Sequence, residues 1–278
     1  MPGPEREPET GPEAAPERGH DVRSDLALLI DAAHAAGDIA KRHFRKDPEI
    51  WTKDDNSPVT EADIAVDRVL RTDLLAARPS YGWLSEETED DGARLQSDRG
   101  FIVDPIDGTR AFIDGQDSFA HSIAIAEAGE VIAGVVFLPV KDRLYAAARG
   151  GGTTLNGAPV RVSPAAEPLG ASVLATRPNV DPKHWPGGVP AFPRVYRPSL
   201  AYRMALVAQG RFDGMVTFRR SWEWDIAAGD ILIREAGGAS TDGTGAALRC
   251  NRPDPRANGV MAASSQLHRA MLEQRLGS

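Results

Sequence analysis

Apolar positions recur at helical spacing at the start of the folded region. Leu26, Leu29, Ile30, Ala33, Ala36, Ala40 and Phe44 mark one face, and Ser24 precedes them as the expected N-cap. A polar connection, Lys53-Asp54-Asp55-Asn56-Ser57-Pro58, separates this helix from a second. There Thr60 is the expected cap, Ala62, Val66, Val69, Leu70 and Leu74 form the stripe, and Pro79 lies beyond the stop. The pattern then shortens to that of strands. Phe101-Ile102-Val103 is a short apolar run, and the runs 118–126 and 131–138, joined at Gly129-Glu130, predict an antiparallel hairpin. Asn156-Gly157 marks a tight turn, and further strands are expected at 172–175 and 215–218. Two more helices are expected at 201–208 and 226–236, the second ended by Gly237-Gly238.

Helices and strands alternate without regular βαβ spacing, which predicts an α+β layered protein rather than a Rossmann sheet. The glycines at 150–152 are the strongest break in the body of the chain and suggest an N-terminal half, 21–150, and a C-terminal half, 151–278. Residues 1–20 hold five Pro, five Glu and two Arg, with Met1 the only large apolar residue. Such a segment buries too little to offset its ordering entropy, so a disordered tail is expected.

Composition narrows the function. The 278 residues carry 32 basic and 40 acidic side chains, a net charge of −8. That balance argues against a surface for polymeric nucleic acid or for anionic membranes, which need clustered Lys and Arg. Cys250 is the only cysteine, so an intrachain disulfide and a Cys-based zinc site are excluded. No run reaches the roughly 20 apolar residues of a membrane span, and no secretory signal is evident; a cytoplasmic location is the expectation.

The densest chemistry follows the 101–103 strand: Asp104-Pro105-Ile106-Asp107-Gly108-Thr109. Two carboxylates at the end of a buried strand are costly unless a cation compensates them, and Mg²⁺ favours such hard oxygen ligands. Gly108 would let a ligand approach the backbone, and a helix starting at Thr109 would offer free N–H groups to phosphate. Alone, this segment reads better as a capped turn, with Asp107 or Thr109 capping a helix. Two other acidic sites accompany it, Trp83-Leu84-Ser85-Glu86-Glu87 upstream and Trp222-Glu223-Trp224-Asp225-Ile226-Ala227-Ala228 downstream.

Together with Ser57-Pro58-Val59-Thr60-Glu61-Ala62-Asp63, these motifs make the chain from about residue 24 to Gly238 resemble the inositol monophosphatase-like superfamily. The resemblance implies a layered αβαβα sugar-phosphatase-like fold, a homodimer, two to three Mg²⁺ ions, lithium sensitivity and hydrolysis of a small phosphorylated metabolite. It assigns Glu86, Asp104 and the Ile106 carbonyl to a first ion, and Asp104, Asp107 and Asp225 to a second. Glu86 would also hold a third, weaker ion through waters. Asp63 and Thr109 would orient and help deprotonate the attacking water, and the amides of Gly108 and Thr109 would hold phosphate. Lys53 is expected near the entrance. None of the six histidines falls in a motif; His34, His43 and His121 are expected to be structural or exposed.

The substrate is less constrained. Ser85-Glu86-Glu87 and the Asn-Ser-Pro-Val-Thr run resemble 3′(2′),5′-bisphosphate nucleotidases, and Arg110-Ala111-Phe112 after the Asp-Gly-Thr triplet matches neither group but shares a basic residue with the nucleotidases. Inositol phosphatases usually have a Glu seven residues before the second-motif Asp, where this chain has Phe218, followed by Arg219 and Arg220. An aromatic ring and cations suit a nucleobase and a second phosphate. The expectation is therefore a 3′-phosphoadenosine 5′-phosphate phosphatase, with inositol-1-monophosphatase as the alternative. A haloacid-dehalogenase-like phosphatase is disfavoured because two residues, not one, separate the acids. A non-enzymatic phosphatase-like binding protein is disfavoured because the ligand set is complete.

Overall fold

The computed structural model describes residues 21–277; the expected tail lies outside them. Helices α1 (Val22–His43) and α2 (Glu61–Ala77) lie side by side, joined through a two-stranded hairpin, β1 (Ile50–Thr52) and β2 (Pro58–Thr60). They cover one face of a seven-stranded sheet in chain order: β3 (Gly82–Ser85), β4 (Arg99–Asp107), β5 (Ala120–Glu127), β6 (Glu130–Leu138), β7 (Arg143–Ala148), β8 (Gly152–Leu155) and β9 (Ala158–Val160). Only β3 and β4 run parallel. The short helix α3 (Thr109–Ile113) follows β4.

The other face packs on α4 (Leu200–Ala208) and α5 (Glu223–Glu235). These helices rest in turn on a five-stranded sheet ordered β11 (Arg194–Val195), β10 (Val173–Leu174), β12 (Gly214–Trp222), β14 (Arg256–Ser264) and β13 (Gly238–Thr241). Helix α6 (Ser265–Leu276) closes the outer face through Leu267 and Met271. The result is the expected αβαβα layering. Strand alternation builds it: Phe101, Val103, Ile123 and Ile125 face α1 and α2, while Ile102, Ala124 and Ala126 face α4 and α5.

Several expected boundaries move. Asp21, not Ser24, caps α1; its carboxylate accepts from the Arg23 amide, and the Ser24 hydroxyl, one turn in, donates to the Asp21 carbonyl. The β5–β6 turn is Ala128-Gly129, both with positive φ, and Glu130 already pairs with Glu127 in the ladder. Asn156-Gly157 makes the same kind of turn between β8 and β9, as expected. The first sheet continues past the glycines at 150–152 to Val160, and the second begins at β10. Strand β4 runs to Asp107 rather than stopping at Val103, and α5 begins at Glu223 rather than Ile226. Among the described residues no helix is long and apolar enough to cross a membrane.

Close packing sets where α5 lies. At Gly134 on β6, a Cβ would stand 2.8 Å from Ile231 Cγ2 and 3.0 Å from the Ala228 Cα, both on α5. Gly134→Ala should therefore force β6 and α5 apart and cost about 1–3 kcal/mol. Urea unfolding checks this, and an unchanged midpoint would contradict it.

Candidate metal centre

The site is built where β4 ends. Residues three apart in a regular strand point to opposite faces, so Asp104 and Asp107 should diverge. They do not, because β4 carries a bulge. Asp104 pairs with Ser122 and Asp107 with Ala120, so Pro105 and Ile106 together stand opposite the single residue His121. Ser122 and Ala120 lie on one face of β5, and both carboxylates are thereby aimed at α5. Asp225 meets them from the first turn of α5. One carboxylate oxygen from each of Asp104, Asp107 and Asp225 lies within 4.8 Å of the others.

Neighbours fix each acid. Asp107 Oδ2 accepts from the Ser199 hydroxyl at 2.7 Å and from the Ala201 amide at 2.6 Å, at the start of α4. Ser199, the α4 N-cap, sits at φ 61°, outside the usual range for a residue with a side chain. The Ser122 hydroxyl donates to the Trp224 carbonyl at 2.8 Å, tying β5 to the residue before Asp225. Asp104 is almost fully buried and its Oδ1 has no hydrogen-bond partner.

Electrostatics say what is missing. Burial, then Glu86, Asp107 and Asp225, push the Asp104 carboxyl well above its ordinary range. Burial, then Asp107 and Glu86, do the same to Asp225. Burial also raises Asp107, against the lowering pull of Ser199 and the α4 amides. Two buried carboxyls and a half-buried third converge, one with an orphaned oxygen, and this fits a divalent cation and suits few other ligands.

Asp63 and Thr109 stand beside this cluster. Thr60 and Asp63 form a capping box at the start of α2: the Thr60 amide donates to Asp63 Oδ2 at 2.8 Å, and its hydroxyl donates to the same oxygen at 2.5 Å. The other Asp63 oxygen lies 3.2 Å from Thr109 Oγ1, which is also 3.1 Å from the Ile106 carbonyl. The hydroxyl has one hydrogen, so it donates to one of them at a time. Burial raises Asp63 to about 6, despite the lowering effect of Thr60. Gly108 caps α3 at φ 97°, a left-handed conformation that glycine adopts without steric cost.

Glu86 stands apart from the tight cluster. Lys53 Nζ donates to Glu86 at 2.8 Å and to Glu87 at 2.7 Å. Burial opposes the Lys53 charge, but the two glutamates outweigh it and hold the ammonium above the ordinary lysine range. Burial and then Glu86 raise Glu87 to about 7. Lys53 thus balances the charge of the Glu86–Glu87 pair.

A cleft of about 720 Å³ opens over the carboxylates, lined in part by Glu86, Asp107, Gly108, Thr109, Arg110, Lys183, His184, Phe218 and Arg219. Arg110 and Arg219 are solvent-exposed there. Phe218 is not a free platform: His184 stacks on it at 4.7 Å and the Arg275 guanidinium lies 4.8 Å from its centroid. Arg220 pairs with Asp254 on the surface and does not line the cleft. Glu223, despite its place in the second motif, binds the Asn251 and Arg252 amides.

Sequence reasoning does not single out Ser199, Ala201 or Ser122. Ser199 two residues before a predicted helix at 201 was a usable cap signal. The others depend on tertiary contacts and leave no local trace.

Residues 21–277 match the model of the inositol monophosphatase family. An inositol-1-monophosphatase of Rhizobium meliloti is 39% identical over 242 residues, covering 79% of this chain and 86% of that protein. A histidinol-phosphatase of Chlorobaculum parvum is 34% identical over 227 residues, covering 78% and 85%. An IMPase of Thermotoga maritima superposes with a TM-score of 0.78 at 27% identity, covering 91% of this chain and 97% of the other. The chain belongs to the inositol monophosphatase family of phosphoric monoester hydrolases.

Carboxyls held above their ordinary values favour the metal-free fold at low pH. That stability is present below about pH 4 and is lost as pH rises through about 6 for Asp63 and about 7 for Glu87. Metal-free protein should melt at a falling temperature over that window, and added Mg²⁺ or Mn²⁺ should reverse the fall. Asp104→Asn should raise the metal-free melting temperature at pH 7 and abolish most of the cation effect. Differential scanning calorimetry reads both, and a variant still fully stabilised by cations would place the binding elsewhere.

Proposed function

From membership of this family, we propose that the chain hydrolyses the phosphate monoester of a small polyol, with inositol 1-phosphate as the best-supported substrate. The observation that carries the reading is the convergence of Asp104, Asp107 and Asp225 beside the Asp63–Thr109 pair, at an open cleft that Asp107 and Thr109 line. Asp104, Asp107 and Asp225, with Glu86 and the Ile106 carbonyl, would hold Mg²⁺, two to three ions in all. When bound, Mg²⁺ supplies the positive charge that a transferring phosphoryl group and its leaving oxygen demand.

The protein's own groups do the rest. With the Ile106 carbonyl committed to a cation, the Thr109 hydrogen is left to Asp63, and the Thr109 oxygen is free to accept a hydrogen from the attacking water. Asp63, raised to about 6, is ionised at neutral pH and close enough to that pH to take up a proton. Gly108 and Thr109 line the cleft, and their amides would donate to phosphate oxygens. Glu86 must exchange Lys53 for a cation to serve as a ligand, which makes it the weakest member of the set.

The bisphosphate nucleotide, the first expectation, is the less supported substrate. It rests on the Asn-Ser-Pro-Val-Thr run, Phe218, Arg110 and the arginines after Phe218. The Phe218 ring is engaged by His184 and Arg275, and Arg220 by Asp254. A relative at 39% identity is named inositol-1-monophosphatase. Arg110 and Arg219 remain at the cleft as candidates for specificity. Lithium sensitivity and a homodimer remain parts of this reading that rest on the family resemblance, and a cytoplasmic location is a part that rests on composition.

Phosphate release should give a higher kcat/KM for inositol 1-phosphate than for 3′-phosphoadenosine 5′-phosphate or histidinol phosphate, by about tenfold or more, the step that about 1.4 kcal/mol of transition-state binding produces. A preference for the nucleotide would overturn the substrate assignment. No turnover of any ester would overturn the phosphatase reading itself.

A further inference from the structure

His121 stands outside every motif, yet it is the one β5 residue opposite the two-residue bulge of β4. It is fully buried. Its neighbours along β5 show its side: Ile123 and Ile125 face α1 and α2, and the His121 ring lies 6.3 Å from the rings of both Phe119 and Phe137. The carboxylates of Asp104 and Asp107 point to the other face. His121 therefore reaches the metal centre only through the backbone.

That reach is specific. His121 Nδ1 lies 2.5 Å from the Pro105 carbonyl oxygen. A carbonyl only accepts, so Nδ1 must carry the hydrogen. Nε2 is buried without a partner. Leaving a ring nitrogen dry costs about 1–3 kcal/mol, a cost that an apolar side chain in the same place would not incur. The bond at Nδ1 is what an apolar side chain would lack.

The Pro105 carbonyl belongs to the peptide plane that joins Asp104's neighbour to Ile106. Fixing that plane fixes the direction of the chain between Asp104 on one side and the Ile106 carbonyl and Asp107 on the other. We propose that His121 is a positioning residue for the metal centre, whose Nδ1–H locks the Pro105–Ile106 peptide from behind the sheet and so holds the bulge at the width that lets Asp104, the Ile106 carbonyl and Asp107 converge. This inference rests on the metal-centre reading and is indifferent to which ester is hydrolysed.

Two variants separate the hydrogen bond from the space the ring fills. His121→Asn keeps an N–H donor near the Nδ1 position and gives up the ring. His121→Phe keeps the ring and gives up the donor. Calorimetric titration with Mg²⁺, without substrate, should show His121→Phe weakened by about tenfold or more and His121→Asn within about threefold of wild type, the range expected for groups that orient metal ligands. The reverse order would assign the residue to packing and overturn the proposal. Nitrogen-15 NMR of the metal-free wild type reads the same bond without depending on either variant's folding. It should show the Nδ1-protonated tautomer, and an Nε2-protonated ring would overturn the proposal. A wild type that takes up no Mg²⁺ would remove the metal-centre reading, and this inference with it.

Discussion

Everything near the site depends on how three carboxylates of like charge, two buried and one half-buried, are kept together. At separations up to 4.8 Å and an effective dielectric near 20, each ionised pair repels by about 3–4 kcal/mol. Three such pairs approach the whole folding free energy of an ordinary domain, about 5–15 kcal/mol. Burial and then this repulsion hold the Asp104 and Asp225 carboxyls well above their ordinary range in the metal-free chain. A divalent cation replaces the protons and turns the repulsion into coordination. The same acidity that argues against polymeric phosphate on the surface becomes, once a cation is bound, a reason for a small phosphate ester to enter the cleft.

The architecture holds this arrangement from three directions. The β4 bulge turns two acids of one strand to the same face. Helix α5 brings the third, and its approach is set by the bare backbone at Gly134 and by the Ser122 bond to Trp224. The first turn of α4 supplies Ser199 and the Ala201 amide, so Asp107 is oriented by an element more than ninety residues away in sequence. The layers hence do more than enclose a core, since the acids converge only when α4 and α5 cover their face of the first sheet.

Much of this was legible in the sequence, for identifiable reasons. Asp104, Asp107, Asp225, Asp63 and Thr109 lie in short motifs at element ends, where local pattern and chemistry coincide, and the structure brings them together. The helices were visible from their apolar stripes. Strand β4 was read too short because Asp104, Pro105 and Asp107 are poor strand formers that a bulge and a buried site tolerate. Ser122 and His121 look like ordinary strand residues until their partners across the sheet are known. Phe218 illustrates the opposite error. An aromatic residue near a motif suggested a ligand platform, while its ring was already occupied by His184 and Arg275.

The claim at the centre is that buried carboxyls exchange protons for a divalent cation. Calorimetric titration of the wild-type protein with Mg²⁺ near pH 6, repeated in buffers of different ionisation enthalpy, counts the protons released. The account predicts a net release on binding that falls as the pH is raised and the acids ionise beforehand. Binding with no proton release near pH 6 would contradict it.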